Sequence, residues 1–466
     1  MNTFFIVLLF IYLSILVIMG IFDIKKAKTF NDFAVAGKKQ KSFPVIMSIL
    51  ATVIGASTTI GIADTTEQIG FPAVWWLWFG SLGLILQSIF ISKKVRSLNA
   101  DTLPSVAGIT VNKAAEIALG IIIVIAWVGV IAGQLVAMNG LVTFLLGKNS
   151  KIIFIIIAIS VILYTTVGGQ ISVIKTDIIQ FIIIGISVIA TFIYLYFFAA
   201  KAGTSGTYDF SLVNEKYRPI SLVTQFFIIG GVYFLGPDIM SRNLVSGNER
   251  TAKKSARISG ISLFFYAILI VMIGMWAHVN IADAGVKDGS THVLMYLMSD
   301  VIPKPIAVLL MIGLISALLS SIDTCIINAS SIFVKNILRK DKVSYIRITV
   351  VVIGILALIF ALAGNGDIIS ILSGAYSVYT PGVIFPLLIS ILVYNKRPLH
   401  KGIWLLAVIL GGAFGLCGAY FPFVLDMLKL PEFIHSNFSL IGMGVSLVVS
   451  LLSVKWKTKE NVKDEI

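Results

Sequence analysis

Thirteen stretches of this 466-residue chain are apolar for long enough to cross the ~30 Å hydrocarbon layer of a bilayer as helices. They cover 3–22, 43–65, 72–92, 114–140, 152–168, 176–200, 221–241, 257–279, 305–334, 346–364, 367–393, 402–421 and 436–454. Nothing else constrains the fold as strongly, because a backbone in lipid must satisfy its N–H and C=O groups internally. The expected architecture is all-α and polytopic, one membrane domain over 1–466 with thirteen transmembrane helices. Its longest connections, 201–220 and 280–304, are too short to hold a core of their own. Whatever the chain does therefore happens inside the bundle or at its mouths. The first run has no basic segment ahead of it and no small-residue cleavage site behind it, so it reads as a retained helix rather than a signal peptide.

A formal charge of +14 would fit nucleic-acid binding, but the basic residues are not clustered with aromatics on any soluble segment. Of the 36 Lys and Arg, 28 fall in connections on one side of the bundle, among them Lys38, Lys94, Arg96, Lys175, Arg242, Lys335, Lys401 and Lys455. By the positive-inside rule that side is cytoplasmic. The odd number of spans then puts the amino terminus outside and the tail 455–466 in the cytoplasm of a cell (plasma or inner) membrane protein. Cys325 and Cys417 both lie in apolar runs and offer no disulfide framework.

Within the run 305–334, residues 317–324 read Ala, Leu, Leu, Ser, Ser, Ile, Asp, Thr. An ionisable group at that depth costs roughly 2.5–3.5 kcal/mol and by default marks an ion or proton site. Sodium, a hard cation that prefers oxygen ligands, suits these side chains. Two other spans carry helix-breaking residues at comparable places: Gly55 to Gly61 with Ser57, Thr58 and Thr59 in the second, and Gly230, Gly231, Gly236 and Pro237 in the seventh. Breaks at matching positions of two halves point to an inverted-repeat transporter with its site at the midplane. Gly411, Gly415 and Gly418 read instead as close-packing positions.

The run at 317–324, Thr-Val-Gly-Gly at 166–169 with Thr-Asp at 176–177, and Gly-Pro-Asp-Ile-Met-Ser-Arg at 236–242 resemble the sodium:solute symporter family. Asp-Thr-Leu-Pro at 101–104 and Asp-Phe-Ala-Val-Ala-Gly-Lys at 32–38 belong to the same resemblance, which spans nearly the whole chain. It implies the LeuT-type five-plus-five inverted-repeat fold with broken first and sixth core helices. An extra helix at 3–22, repeats at 43–200 and 221–393, and two extra helices in 402–454 follow. One sodium ion would be held by the carbonyls of Ala51 and Ile54 at the break and by Ala317, Ser320 and Ser321. A second site, used by some members, would comprise Asp177, the Ser320 carbonyl, Asp323 and Thr324. For Asp177 a cytoplasmic helix cap is the plainer alternative, and for Asp323 a proton site or a helix contact.

Substrate or gate contacts are expected from Ser57, Thr58, Thr59, Trp76, Gln134, Tyr233, Tyr376 and Tyr379, with Trp75, Trp78, Trp127, Ser377 and Thr380 nearby. Tryptophans at a span end also serve as interface anchors, whereas Tyr233 between glycines has the shape of a thin gate. Residues that sugar- and sialic-acid-carrying relatives use are missing: Trp76, Leu77 and Trp78 stand in the second core helix, span eight has no Lys, and span four has no Arg. That leaves a small amphipathic solute, an amino acid or a monocarboxylate, with its carboxylate at a half-helix amino end.

The expected function is sodium-coupled import by alternating access, with sodium, the solute and the lipid bilayer as partners, no nucleic acid, and no oligomer required. A proton-coupled carrier of the same fold and a sodium-permeable channel are the alternatives, though a channel needs a continuous polar stripe. No enzyme motif is present, and His278, His292, His400 and His435 all sit near span ends.

Overall fold

The computed structural model describes residues 2–23, 27–55, 57–147, 151–199, 207–281, 286, 291–363, 368–427 and 429–455. Ala56, parts of both long connections and the tail beyond Lys455 lie outside them. The described residues are nearly all helical and contain no strand. We number the principal helices α1 (Asn2–Asp23), α2 (Ser42–Val53), α3 (Ile62–Ile69), α4 (Val74–Phe90), α5 (Lys113–Leu146), α6 (Lys151–Phe197) and α7 (Pro219–Leu235). They continue as α8 (Pro237–Val245), α9 (Glu249–Asn280), α10 (Lys304–Ile332), α11 (Val343–Ala363), α12 (Ile368–Val393), α13 (Lys401–Tyr420) and α14 (Phe438–Leu452).

Among the described residues nine helical segments are long and apolar enough to cross alone, and the bent pair α2 and α3 makes ten. The thirteen apolar runs do not map one to one onto these. Runs 152–168 and 176–200 both fall in α6, whose 47 residues would extend about 70 Å at 1.5 Å per residue. Gly169, at φ 60° and ψ −166°, breaks it near the middle. That φ needs glycine, and a methyl there would also lie 2.8 Å from the Phe33 ring.

Both expected breaks are present, and each has a local cause. The second span leaves its helix at Ile54 (φ −91°, ψ 61°), passes through a π-turn at Ser57–Gly61 and resumes as α3, bent by 60°. Gly55 is packed so closely on the Ser321 side chain that a Cβ would overlap it. The seventh span breaks at Gly236 (ψ 139°) because Pro237 drives the residue before it out of the α region.

Helices α10 and α12 are the most enclosed, with 72% of their apolar windows buried against 33% for α13. Helix α10 packs on α6, α5 and α2, which sets the 317–324 stretch between the break of α2 and the middle of α6. The peripheral helices show lipid-type surfaces, such as Ile348, Val352, Ile355 and Ile359 along α11. Gly411 and Gly415 of α13 bring its backbone against the Pro381 and Ser377 carbonyls of α12, the close approach that small residues permit. At one end of the bundle Lys38 pairs with Asp101 at 2.8 Å and Arg96 donates to the Ser246 carbonyl. At the other, His292 lies 2.7 Å from Asp64, and Asn214 donates to the Ile69 carbonyl.

Candidate functional site

Where α2 stops, its last carbonyls lose the N–H partners that a continuing helix would supply. The polar run of α10 meets them. Ser320 Oγ donates to the Ala51 carbonyl at 2.8 Å and to its own-helix Ala317 carbonyl at 3.1 Å. Ser321 Oγ donates to the Thr52 carbonyl at 3.0 Å. Farther along the break, Thr58 Oγ1 reaches the Val53 carbonyl at 2.8 Å, and both Thr58 and Thr59 reach the carbonyl of Gly55. Ala51, Ala317, Ser320 and Ser321 are thus brought to one place, with Ile54 at the break next along the chain, all of them buried. They form a carboxylate-free group of carbonyls and hydroxyls, the donor chemistry of a hard monovalent cation.

Asp177, Asp323 and Thr324 are divided between two networks. Asp323 turns toward α6, where Thr165 Oγ1 donates to Oδ1 at 2.6 Å and the Tyr164 hydroxyl donates to Oδ2. Asp177 sits in mid-helix, fully buried, and caps nothing. Ser48 donates to its Oδ2, and Arg242 Nη2 lies 3.1 Å from the same oxygen. Thr324 Oγ1 accepts from Arg242 Nη2 at 2.5 Å. Arg242, counted from sequence among the basic connections, is in fact within α8 and has no exposed surface. The signal was there, since it closes the Gly-Pro-Asp-Ile-Met-Ser-Arg run, but a charge at a span end reads as a loop residue.

The residues expected around a solute separate into those facing the breaks and those packed elsewhere. Gln134 Nε2 donates to Ser57 Oγ at 3.2 Å, leaving Gln134 Oε1 buried without a partner among the described residues. Thr59 Oγ1 shares a hydrogen bond with the Tyr266 hydroxyl at 2.8 Å. Trp76 faces Tyr376, ring centroids 6.4 Å apart, and Trp127 meets Tyr379 edge-on at 5.1 Å. The Tyr379 hydroxyl donates to the carbonyl of Leu235, the last residue of α7 before the break. Tyr233 lies flat on α4, where a methyl on Gly80 would come within 2.9 Å of its ring. Trp75 and Trp78 turn away from this group: Trp75 donates to the Leu212 carbonyl and Trp78 stacks on Phe264.

Asp238, not singled out from sequence as a site residue, stands in the first turn of α8. It lies within electrostatic reach of Tyr233, Tyr376 and Tyr379. Its Oδ1 is buried and has no partner among the described residues.

The family model that matches is described as the sodium:solute symporter family and covers residues 33–411. Sodium/proline symporter 2 of Staphylococcus saprophyticus is 23% identical over 418 residues, 82% of this chain and 80% of that one. The high-affinity proline transporter PutP of Bacillus subtilis is 21% identical over 85% of this chain and 88% of its own. Among solved structures, a Na+-coupled sialic acid symporter in a substrate-bound outward-open state matches with a TM-score of 0.76 at 17% identity, covering 97% of this chain and 98% of that one. Mhp1, a nucleobase-cation-symport-1 family transporter, matches at 0.58 and 13% identity over 90% and 93%. At such identities the likeness is one of fold, and the fold is the LeuT type expected from the sequence.

Proposed function

The chain belongs to the sodium:solute symporter family, and from that premise we propose that it imports a small amino acid by coupling it to sodium. Ala51, Ile54, Ala317, Ser320 and Ser321 take the sodium ion. One observation carries this: two hydroxyls of α10 rest on the carbonyls freed at the break of α2. Rotating the two O–H bonds away turns those hydroxyl oxygens into ligands beside the carbonyls. Sodium then ties α2 to α10, and it drives coupling to the extent that it binds the outward-open, solute-fitting state better than the other. A single charge crossing 100 mV contributes about 2.3 kcal/mol, which supports roughly 40-fold accumulation before the sodium gradient is added.

The solute lies between the breaks, among Ser57, Thr58, Thr59, Trp76, Gln134, Tyr233, Tyr376 and Tyr379. Several relatives are named as proline carriers, and Asp238 supports an amino acid over a plain monocarboxylate. A carboxylate already occupies the amino end of α8, so the solute's amine belongs there. Its own carboxylate goes to the other half-helix amino end, beside Ser57.

In this reading 43–200 and 221–393 are the two inverted repeats, with 3–22 and 402–454 outside them. The lysine-rich mouth is cytoplasmic, the amino terminus is external, and one copy suffices for transport. The test is uptake of radiolabelled proline and other amino acids into proteoliposomes under an inward sodium gradient. Saturable uptake that needs sodium and fails in potassium supports the symporter; flux without saturation would make it a channel. Uptake driven by a proton gradient without sodium would shift the reading to a proton-coupled carrier, with Asp323 as its carboxylate.

A further inference from the structure

Arg242 has five hydrogen-bond partners, and every one is an oxygen. Its Nε donates to Ser48 Oγ at 2.8 Å and Nη1 to Ser241 Oγ at 3.1 Å. Nη2 alone serves Thr52 Oγ1 at 3.2 Å, Asp177 Oδ2 at 3.1 Å and Thr324 Oγ1 at 2.5 Å. These oxygens come from α2, α6, α8 and α10, and the two threonine hydroxyls are themselves 3.3 Å apart. Without the guanidinium, the same point would be ringed by a carboxylate oxygen and hydroxyls from three helices, a donor set suited to a hard cation.

We infer that the Arg242 guanidinium is a built-in cation occupying what would otherwise be a second ion position, so that the protein binds and carries a single sodium ion. Guanidinium suits the place: it stays charged at every physiological pH and is more weakly hydrated than an ammonium. A mobile cation beside it would meet like-charge repulsion in a buried setting. Asp177, Asp323 and Thr324 then hold no sodium, the first and last because they serve Arg242, and Asp323 because it is bonded to Tyr164 and Thr165. The inference rests on the sodium site proposed at Ala51 and Ser320, since that site supplies the one ion.

Sodium alone is the probe, measured as 22Na+ bound per purified full-length chain in nanodiscs. Wild type should bind one ion with a Hill coefficient of 1, and two ions per wild-type chain would overturn the inference. Arg242→Gln should uncover a second ion, and the added Asp177→Asn should remove it again. Arg242→Gln that folds and still binds one ion would also overturn it. Taking one partner from a buried pair destabilises, so Asp177→Asn is measured separately. It should leave sodium affinity within about threefold, whereas a loss beyond about tenfold would make Asp177 a sodium ligand and refute the inference. Failure of the underlying site is seen elsewhere, as sodium affinity unchanged by Ser320→Ala in a chain that still binds one ion.

Discussion

Ser320→Ala isolates the sodium site with a change of one atom. Ser320 Oγ bridges the carbonyls of Ala51 and Ala317, and in the proposed mechanism it becomes a ligand. Interactions of this kind with a charged group contribute about 1.5–3 kcal/mol, so sodium half-saturation should rise about 10- to 150-fold at roughly 1.4 kcal/mol per decade. Folding should suffer less, by about 1 kcal/mol, since the lost bond is neutral and alanine is the better helix former. The assay is a sodium titration of proline uptake in proteoliposomes at saturating proline. Maximal rate should recover to within about twofold at high sodium, because uniform binding is what was removed. Ser320→Thr, which keeps a hydroxyl, should stay close to wild type. An unchanged half-saturation, or a lowered maximal rate with normal sodium dependence, would mean that Ser320 merely packs α10 against α2.

Gly55→Ala places a methyl against Ser321; overpacking of about 1–3 kcal/mol should raise sodium half-saturation while proline affinity at saturating sodium changes less, as the same titrations would reveal. Asp238→Asn should weaken proline by about tenfold or more but spare the sodium affinity of the solute-free protein, with equal losses in both pointing to a folding defect instead. For His292, burial lowers the pKa, but the hydrogen bond and charge of Asp64 raise it further, so it ends above its ordinary 6.5. The pair's contribution is full below pH 6.5 and is lost as pH rises through the raised value. Thermal unfolding should show that decline, and Asp64→Asn should flatten it.

Hydropathy alone carries the helical membrane fold, because lipid leaves the backbone few other choices. The two breaks were legible for the same reason: Gly55 and the Gly236–Pro237 pair are local signals with local consequences. Helix number is less direct, since at Gly169 two helices follow one another with no loop between them and α14 has only 15 residues. The second site shows where reading along the chain stops. Asp177 and Thr324 lie 65 and 82 residues from Arg242, and no periodicity links them. A guanidinium at a span end looks cytoplasmic until three other helices are seen closing over it. Tyr233 offers a similar lesson, since the glycines of its own span are visible in the sequence while its contact with Gly80, the glycine of α4 on which its ring rests, is not.

The Arg242 cluster also bears on how the chain is made. Thr324 emerges 82 residues after Arg242, a delay of about 4–16 s at roughly 5–20 residues per second of synthesis. Through that interval the newborn α8 holds a permanent charge whose partner on α10 does not yet exist. The carboxylate of Asp177 and the hydroxyls of Ser48 and Thr52 are already made by then, so α8 can dock on α2 and α6 first, and α10 completes the cluster when it arrives. A chain that stops before residue 324 can still seat Arg242 on Asp177, Ser48, Thr52 and Ser241, but it lacks the α10 hydroxyl that closes the ring.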